Sequence, residues 1–140
     1  MTESKPTSVS AFETVIFCDT DCGGVVSNVT YLRYIEKARC HLMEKLGMPL
    51  AEMSSTGRFP TVIRTEIDYL KPAVLGDRLE IKATLADTRK IRATCEFEIS
   101  RQSADHEGLE ILIKARQIVV IVEMPAGKPC KLPPSWLTSS

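Results

Sequence analysis

Residues 19–28, with the sequence DTDCGGVVSN, combine acidic side chains and a glycine pair just before a segment with helical periodicity. Paired glycines allow a chain to turn sharply and to approach a ligand closely. A helix that follows them presents N–H groups without partners inside the helix, and these can stabilise a carbonyl oxygen that gains negative charge. Asp21 could act on that carbonyl as a general base or as a nucleophile. Aspartates are also common in turns and caps, so the residue types alone leave a structural role for Asp19 and Asp21 open.

Other residues with reactive side chains are weaker candidates. Cys22 follows Asp21, but no neighbouring residue supplies the base or positive charge that a nucleophilic thiolate needs, and packing of a small side chain in a tight loop explains it better. Cys40 and His41 are adjacent on a predicted helix, where their side chains diverge by about 100°, so they cannot act together. His41 and His106 have no metal-ligand spacing with each other or with Cys or Asp. We therefore expect no metal site.

A small basic cluster, formed by Arg89, Lys90 and Arg92, lies beside the start of a predicted strand. Such charges are usually a solvated sheet edge that discourages aggregation. They could also hold the phosphates of a nucleotide-bearing ligand. Glu36, on the predicted helix, is interpreted as an ion-pair partner of Arg39 or of an arginine of another subunit rather than as a second catalytic acid.

The elements that must position these residues are one helix and several strands. Apolar residues recur every three or four positions between residues 31 and 46, which places them on one helical face: Tyr31, Ile35, Ala38, Leu42 and Leu46. Ser27, Asn28 or Thr30 could cap the helix, and Gly47 followed by Pro49 would end it.

Five segments have the composition or the alternation of strands, at residues 12–17, 63–69, 79–85, 93–100 and 109–122. Each strand offers one apolar face, and the only helix must cover it. The order strand, helix, four strands therefore predicts an α+β fold in which a five-stranded antiparallel sheet wraps around one long helix. A single sheet of this kind has an open edge, so we expect at least a dimer.

Length and composition restrict the remaining possibilities. The 140 residues suit a single domain, predicted at 11–134 between a flexible tail at 1–10 and a C-terminal tail at 135–140. Eighteen basic residues balance eighteen acidic ones, which argues against nucleic acid as a partner. No apolar run is long enough to cross a bilayer, and the N-terminus lacks the pattern of a secretory signal. Five scattered cysteines favour a reducing, cytoplasmic location.

Two motifs carry a resemblance to a known family: DTDCGGVV at residues 19–26 and YLRYIEKAR at 31–39. Together with matches at 62–64, 68–73 and 76–79, they resemble the 4-hydroxybenzoyl-CoA thioesterase family over residues 12–134. The chain is most similar to the acyl-CoA thioesterases associated with the Tol-Pal gene cluster. Those enzymes usually carry Tyr-His where this chain has Ser27-Asn28, and the 4-hydroxybenzoyl-CoA branch also lacks that histidine. The resemblance implies a hotdog fold, which agrees with the order of elements above.

The resemblance also implies roles for individual residues. Asp21 matches the catalytic carboxylate, and the backbone N–H near Asn28 matches the group that polarises the thioester carbonyl. Arg89 and Lys90 fall where relatives hold the phosphates of coenzyme A. The remaining substrate-binding residues that we predict in and just after the first motif are Gly24, Val25, Val26 and Tyr31.

The function implied is hydrolysis of an acyl-CoA to a free acid and coenzyme A. We expect no cofactor or metal, because a thioester is already activated. The family forms dimers with two sites at the subunit contact, commonly paired into tetramers. One alternative is a thioesterase that acts on acyl-carrier-protein thioesters in lipid or polyketide synthesis. Another is a non-catalytic module that binds acyl-CoA or scaffolds a partner. A dehydratase or hydratase would need a histidine paired with an acid, and residues 19–28 contain no histidine.

Overall fold

The long helix α1 (Asn28–Lys45) forms where the capping signals and the apolar period predict it. In the computed structural model, which describes residues 6–102 and 108–137, Ser27 is the N-cap and accepts a hydrogen bond from the Thr30 N–H. The predicted apolar face is buried, and no more than 2% of the surface is exposed in Tyr31, Ile35, Ala38 and Leu42. This buried stripe fixes the direction in which the start of the helix points.

An antiparallel sheet curls around α1. Its strands are β1 (Ser8–Thr14), β2 (Arg58–Tyr69), β3 (Arg78–Arg89), β4 (Arg92–Gln102), β5 (Leu109–Glu123) and β6 (Lys128–Cys130), and a short helix α2 (Leu50–Thr56) precedes β2. The strand order is β1-β3-β4-β5-β2, and β6 pairs with β5 beyond the end of β4. The predicted α+β class and the sheet wrapped around one long helix are confirmed, with β6 as a sixth strand.

The core lies between α1 and the inner face of the sheet. The alternating residues predicted to face inward on β3 and β4 are no more than 4% exposed: Leu79, Ile81, Ala83, Leu85, Ala93, Cys95, Phe97 and Ile99. The helix packs mainly on β1 and β3. The edge strand β2, which has no fully buried residue, is therefore covered less completely.

Both predicted tail boundaries and the first strand are wrong in detail. The strand predicted at 12–17 is Ser8–Thr14, because Ser8 and Ser10 point outward and bond to β3 while Ala11 faces the core. Residues 8–10 therefore belong to the sheet rather than to a tail. Trp136, placed in the predicted C-terminal tail, is 1% exposed and donates its Nε1–H to the Leu46 carbonyl over 2.9 Å.

The two edges of the sheet differ in how they are protected. Lysines of α1 cover main-chain carbonyls of the edge strand β1, since Lys37 donates to Phe12 over 3.3 Å and Lys45 to Ser8 over 3.0 Å. Among the described residues no side chain of α1 bonds to the main chain of the other edge strand, β2, and the Thr56 hydroxyl of α2 accepts a bond only from the Arg58 N–H at the start of that strand, over 3.3 Å. A long uncovered edge of this kind is a template for pairing with another chain.

Neither helix in the described ranges has both the length and the apolarity that a membrane span requires.

Candidate active site

Residues 20–26, between β1 and α1, form a tight turn that carries Asp21. Thr20 and Val26 face each other across it as an isolated antiparallel bridge. The Asp21 N–H donates to the Val25 carbonyl over 3.0 Å, and the Gly24 N–H donates back to the Asp21 carbonyl over 2.9 Å. Gly24 has a φ of +74°, a conformation that favours glycine. The sharp turn predicted for the paired glycines is therefore made at Gly24, through its positive φ.

A second loop, at residues 72–77, holds this turn in place. Val25 bridges Val74, the Val26 N–H donates to the Ala73 carbonyl over 2.9 Å, and the Leu75 N–H donates to the Gly24 carbonyl over 3.0 Å. The two loops thus behave as one short sheet beside the start of α1. Their main-chain bonds set the position of Asp21 relative to the helix.

The 72–77 loop is in turn anchored to the body of the sheet. The Tyr31 hydroxyl accepts a bond from the Ala73 N–H over 2.9 Å, and Arg101 donates to Asp77 over 2.7 Å and to the Pro72 carbonyl over 3.2 Å. Arg101 also donates to Glu110, and the hydrogen bonds from Lys71 and Arg101 lower the pKa of the Glu110 carboxyl. These contacts link the site loops to β4 and β5.

Asp19 is the buried acid of the segment, with 2% of its surface exposed. Its carboxylate accepts bonds from the Ile16 N–H over 3.1 Å, from the Tyr34 hydroxyl over 2.8 Å and from Arg33. Burial alone would raise the pKa of Asp19, but these hydrogen bonds and the charge of Arg33 outweigh it and lower that pKa. The structural role that the residue types left open is the one these contacts give Asp19, which holds the loop in place.

Asp21 and the first residue of α1, Asn28, line a common cavity of about 350 Å³. The Asp21 side chain is exposed, and its Oδ1 lies 3.5 Å from the Gly23 nitrogen. The Thr30 N–H is bonded to the N-cap Ser27, whereas the N–H groups of Asn28 and Val29 have no acceptor within the helix, and Asn28 lines the cavity. A carboxylate and a helix N-terminus together can activate water and stabilise an oxyanion.

Several predicted substrate contacts line the same cavity, and four unpredicted residues join them. Val25, Val26 and Tyr31 lie in the wall, whereas Gly24 shapes the turn behind it. The rest of the lining comes from residues 69–72, at the end of β2. The sequence predicts a strand that ends near Tyr69, before Lys71 and Pro72. It does not predict that this strand end lies near Asp21, because that proximity depends on how the strands are arranged in the sheet.

Arg89 and Lys90 lie far from this cavity within one chain. They form the turn between β3 and β4, where Lys90 has a φ of +31° and its carbonyl accepts from the Leu132 N–H. The strand β3 starts beside the site loops, and its 12 residues span roughly 35 Å. Arg89 is exposed and pairs with Asp87 over 3.3 Å. The structure of one chain does not bring this pair to Asp21.

The cysteines and histidines give no alternative centre in the described residues. Cys22 is exposed, so the expected packing of its side chain in the loop is wrong. Burial raises the pKa of the Cys95 thiol to about 12, which makes it a poor nucleophile. No cluster of three metal-ligating side chains occurs within residues 6–102 and 108–137. His106 lies outside those ranges, and the absence of a metal stays a prediction.

The curled antiparallel sheet around a long helix is the hotdog thioesterase fold. The 4-hydroxybenzoyl-CoA thioesterase from Pseudomonas sp. strain CBS-3 superposes with a TM-score of 0.82 at 18% identity, over 92% of this chain and 96% of that one. A structure of Slr0204 from Synechocystis, a 1,4-dihydroxy-2-naphthoyl-CoA thioesterase, has a TM-score of 0.79 at 27% identity over 93% of both chains. The first likeness shows the fold alone.

The chain belongs to the Thioesterase-like superfamily, whose family model matches residues 15–138. A 1,4-dihydroxy-2-naphthoyl-CoA hydrolase from a Synechocystis strain is 29% identical over 126 residues, which cover 89% of this chain and 88% of the relative. The acyl-CoA thioesterase YbgC of Haemophilus influenzae is 28% identical over 120 residues, or 85% of this chain and 84% of the relative. The protein is therefore a member of a superfamily of thioester hydrolases.

Proposed function

We propose that this protein hydrolyses acyl-CoA thioesters to a free acid and coenzyme A. The observation that carries the proposal is that Asp21 and the N-terminus of α1 line one cavity. The names of the relatives support the same substrate class, since they act on CoA thioesters. The resemblance to the Tol-Pal-associated enzymes and a cytoplasmic location remain parts of this proposal.

In this mechanism the thioester carbonyl points at the first turn of α1. Asp21 removes a proton from water, which attacks the carbonyl carbon, and the N–H groups near Asn28 stabilise the oxyanion. The C–S bond then breaks, and coenzyme A leaves as a thiolate. The alternative, attack by the Asp21 carboxylate itself, forms a mixed anhydride that water hydrolyses. Neither route requires a metal or a redox cofactor.

We propose that the acyl group is aromatic. The rings of Tyr31 and Tyr69 lie 5.8 Å apart at the cavity, a separation within the range of favourable aromatic pairs. Burial raises the pKa of Tyr31, whose hydroxyl oxygen is held by the Ala73 N–H. The Tyr31 ring is itself 2% exposed and packs behind Tyr69, whose ring is 49% exposed and can offer a surface to a flat acyl group.

A hydrolysis screen with a free-thiol readout tests the function. Benzoyl, phenylacetyl, and short to long aliphatic groups are presented on coenzyme A, and the best of them also on acyl-carrier protein. We expect the highest kcat/KM for an aromatic CoA thioester. A preference for the carrier-protein thioester would favour the alternative thioesterase, and binding without thiol release would favour a non-catalytic module.

We propose that the working unit is a homodimer formed through β2, on which tetramers can be built. Apolar side chains that line the cavity are exposed in the single chain, including Tyr69 at 49% and Leu70 at 53%. The uncovered edge of β2 lies beside them. Antiparallel two-fold pairing of β2 would place the Tyr69 end of one subunit beside the Arg58 end of the other.

The same pairing would bring Arg89 and Lys90 of the partner subunit toward the coenzyme A bound at the cavity. Arg92 pairs with Val120 and Arg58 with Glu123, so the β3–β4 turn and the start of β2 share one end of the sheet. Two-fold pairing brings that end of the partner toward the cavity of the first subunit. The partner's turn can then contribute positive charge near the nucleotide of the ligand.

Activity is expected to depend on this dimer. Dilution below the dissociation constant should lower the specific activity per chain in parallel with the fraction of dimer, because each cavity loses the wall and the charges that its partner supplies. Sedimentation and activity measured over the same dilution series check this. A monomer with full activity would contradict the proposal.

Removing the basic pair is expected to raise KM for acyl-CoA while kcat stays nearly unchanged, the pattern of lost uniform binding. We suggest Arg89→Ala with Lys90→Asn, because asparagine tolerates the positive φ at that position. The matched control is the acyl-pantetheine thioester, which lacks the nucleotide phosphates. Its KM should not respond, and equal effects on both substrates would assign the pair a structural role.

A further inference from the structure

The strand β5 contains a bulge close to the candidate active site. The pairing register shifts between Ile99 and Ser100 of β4, and Leu112 is the extra residue on β5. Its carbonyl accepts bonds from the Leu70 N–H over 2.9 Å and from the Lys71 N–H over 3.1 Å. A bulge bends its strand and redirects the side chains beside it. This one bonds the end of β5 to two residues of the cavity lining.

Beyond the bulge, Arg101 of β4 and Glu110 of β5 lie directly opposite each other. The Arg101 Nε donates to one carboxylate oxygen of Glu110 over 2.8 Å, and the Lys71 Nζ donates to the other over 2.8 Å. The Arg101 side chain is 25% exposed. Glu110 therefore fixes one edge of the guanidinium and leaves its other nitrogens to bond elsewhere.

The other edge of the Arg101 guanidinium reaches the 72–77 loop. Its Nη1 donates to the Pro72 carbonyl over 3.2 Å and to the Asp77 Oδ2 over 2.7 Å. The same Asp77 oxygen accepts a bond from the Val74 N–H over 2.9 Å. One side chain thus holds the first and the last residue of the loop. A guanidinium suits this task because its donors point in fixed directions from a plane, whereas lysine has one nitrogen on a flexible stem.

The 72–77 loop passes this constraint to the turn that carries Asp21. The Val26 N–H donates to the loop over 2.9 Å, and the Leu75 N–H donates back to the turn over 3.0 Å. The cavity lining among the described residues does not include Arg101. An effect of this arginine on a substrate must therefore travel through the two loops, at residues 20–26 and 72–77.

We propose that Arg101 is a positioning residue for the hydrolysis, an inference that rests on the proposed function. Its guanidinium holds the 72–77 loop, and through that loop it holds Asp21 at the distance from the start of α1 that attack on the carbonyl requires. A misplacement of about 1 Å can cost about 10²-fold in rate even when the altered residue is far from the chemistry. The residues that line the cavity stay the same, so the effect falls on kcat rather than on KM.

Arg101→Met tests the proposal, because methionine keeps much of the apolar stem and removes every donor. We expect kcat for the best acyl-CoA of the screen to fall about tenfold to 10²-fold, with KM nearly unchanged. The matched control is Arg116→Met on β5. Arg116 pairs with Glu96 over 3.5 Å, and its side chain is 57% exposed. This variant also loses an arginine of the sheet, but it should keep the wild-type kcat.

Amide hydrogen exchange followed by NMR gives a second readout that does not require activity. The Val26 and Leu75 N–H groups report directly on the bonds between the two loops. Loss of a charge-assisted anchor should speed their exchange about tenfold or more in Arg101→Met. Amides in the middle of β3 and β4 should keep their protection, whereas a general loss of stability would speed exchange throughout the sheet.

A fall in kcat together with faster exchange confined to the two loops supports the proposal. A wild-type kcat in Arg101→Met, or exchange that is faster throughout the sheet, would overturn it. If Arg101→Met does not fold, Arg101→Lys takes its place with a smaller expected loss of kcat, and a wild-type kcat there would equally overturn the proposal. Absence of thiol release by the wild type would contradict the proposed function instead, and the exchange result then decides alone whether Arg101 holds the loops.

Discussion

Asp21→Asn is expected to lower kcat for the best acyl-CoA substrate by about 10² to 10⁴-fold, the usual cost of losing a positioned acid–base group. The amide has nearly the same shape as the carboxylate but cannot take the proton of the attacking water or act as a nucleophile. Asp21 is exposed and its turn is held by main-chain bonds, so the fold should be unaffected. Steady-state thiol release by purified protein measures the effect.

The neighbouring Cys22→Ala variant is the control for Asp21. Its thiol is exposed next to the carboxylate, and we assign it no step of the reaction. It should keep activity close to the wild type. If Asp21→Asn retained more than about a tenth of the wild-type kcat, well outside the range expected for a general base, the assignment would be wrong.

Asp19→Asn is expected to act on stability instead, by about 2 to 4 kcal/mol in the free energy of unfolding. The substitution removes a buried charge that receives bonds from Ile16, Tyr34 and Arg33, and it directs an NH₂ group toward donors. Arg33 is 59% exposed, which keeps the expected loss below that of a fully buried ion pair. Urea unfolding at neutral pH measures this loss of stability. The control is Asp21→Asn, the same substitution at an exposed position two residues away.

The destabilisation by Asp19→Asn should depend on pH in one direction. The pKa of Asp19 is lower in the folded chain than its unfolded value of about 3.9, so the folded state favours the carboxylate. Its contribution to stability is complete above that unfolded value and is lost as pH falls through the folded pKa. The stability difference between wild type and Asp19→Asn should therefore shrink in acid, and a difference that grew there would contradict the assignment.

The sequence allowed prediction of those elements whose pattern reflects burial directly. The period of α1 and the alternation of β3 and β4 arise because one face of each meets the core. The prediction of the start of β1 was wrong, because Ser8 and Ser10, which bond to β3, were interpreted as part of a polar tail. Prediction from the sequence also missed α2 and β6, which are too short to show a period and depend on neighbouring strands.

The site was predictable in part for a similar reason. Asp21, Val25, Val26 and Asn28 are close in sequence, so a glycine turn before a helix brings them together. Residues 69–72 of the lining come from a strand end more than forty residues away, and only the fold of the sheet brings them to the same cavity. Arg89 and Lys90 lie at the far end of β3 from the site loops, and only the proposed pairing with a second subunit, which no local pattern specifies, would bring such a pair to the cavity.

The most direct test of the central claim is the hydrolysis of benzoyl-CoA by the wild-type protein in ¹⁸O-labelled water. We predict equal amounts of free coenzyme A and benzoic acid, with solvent oxygen in the acid, and a rate that falls by orders of magnitude in Asp21→Asn. Absence of acid formation from benzoyl-CoA and from every other acyl-CoA of the screen, or a rate that does not depend on Asp21, would contradict the account.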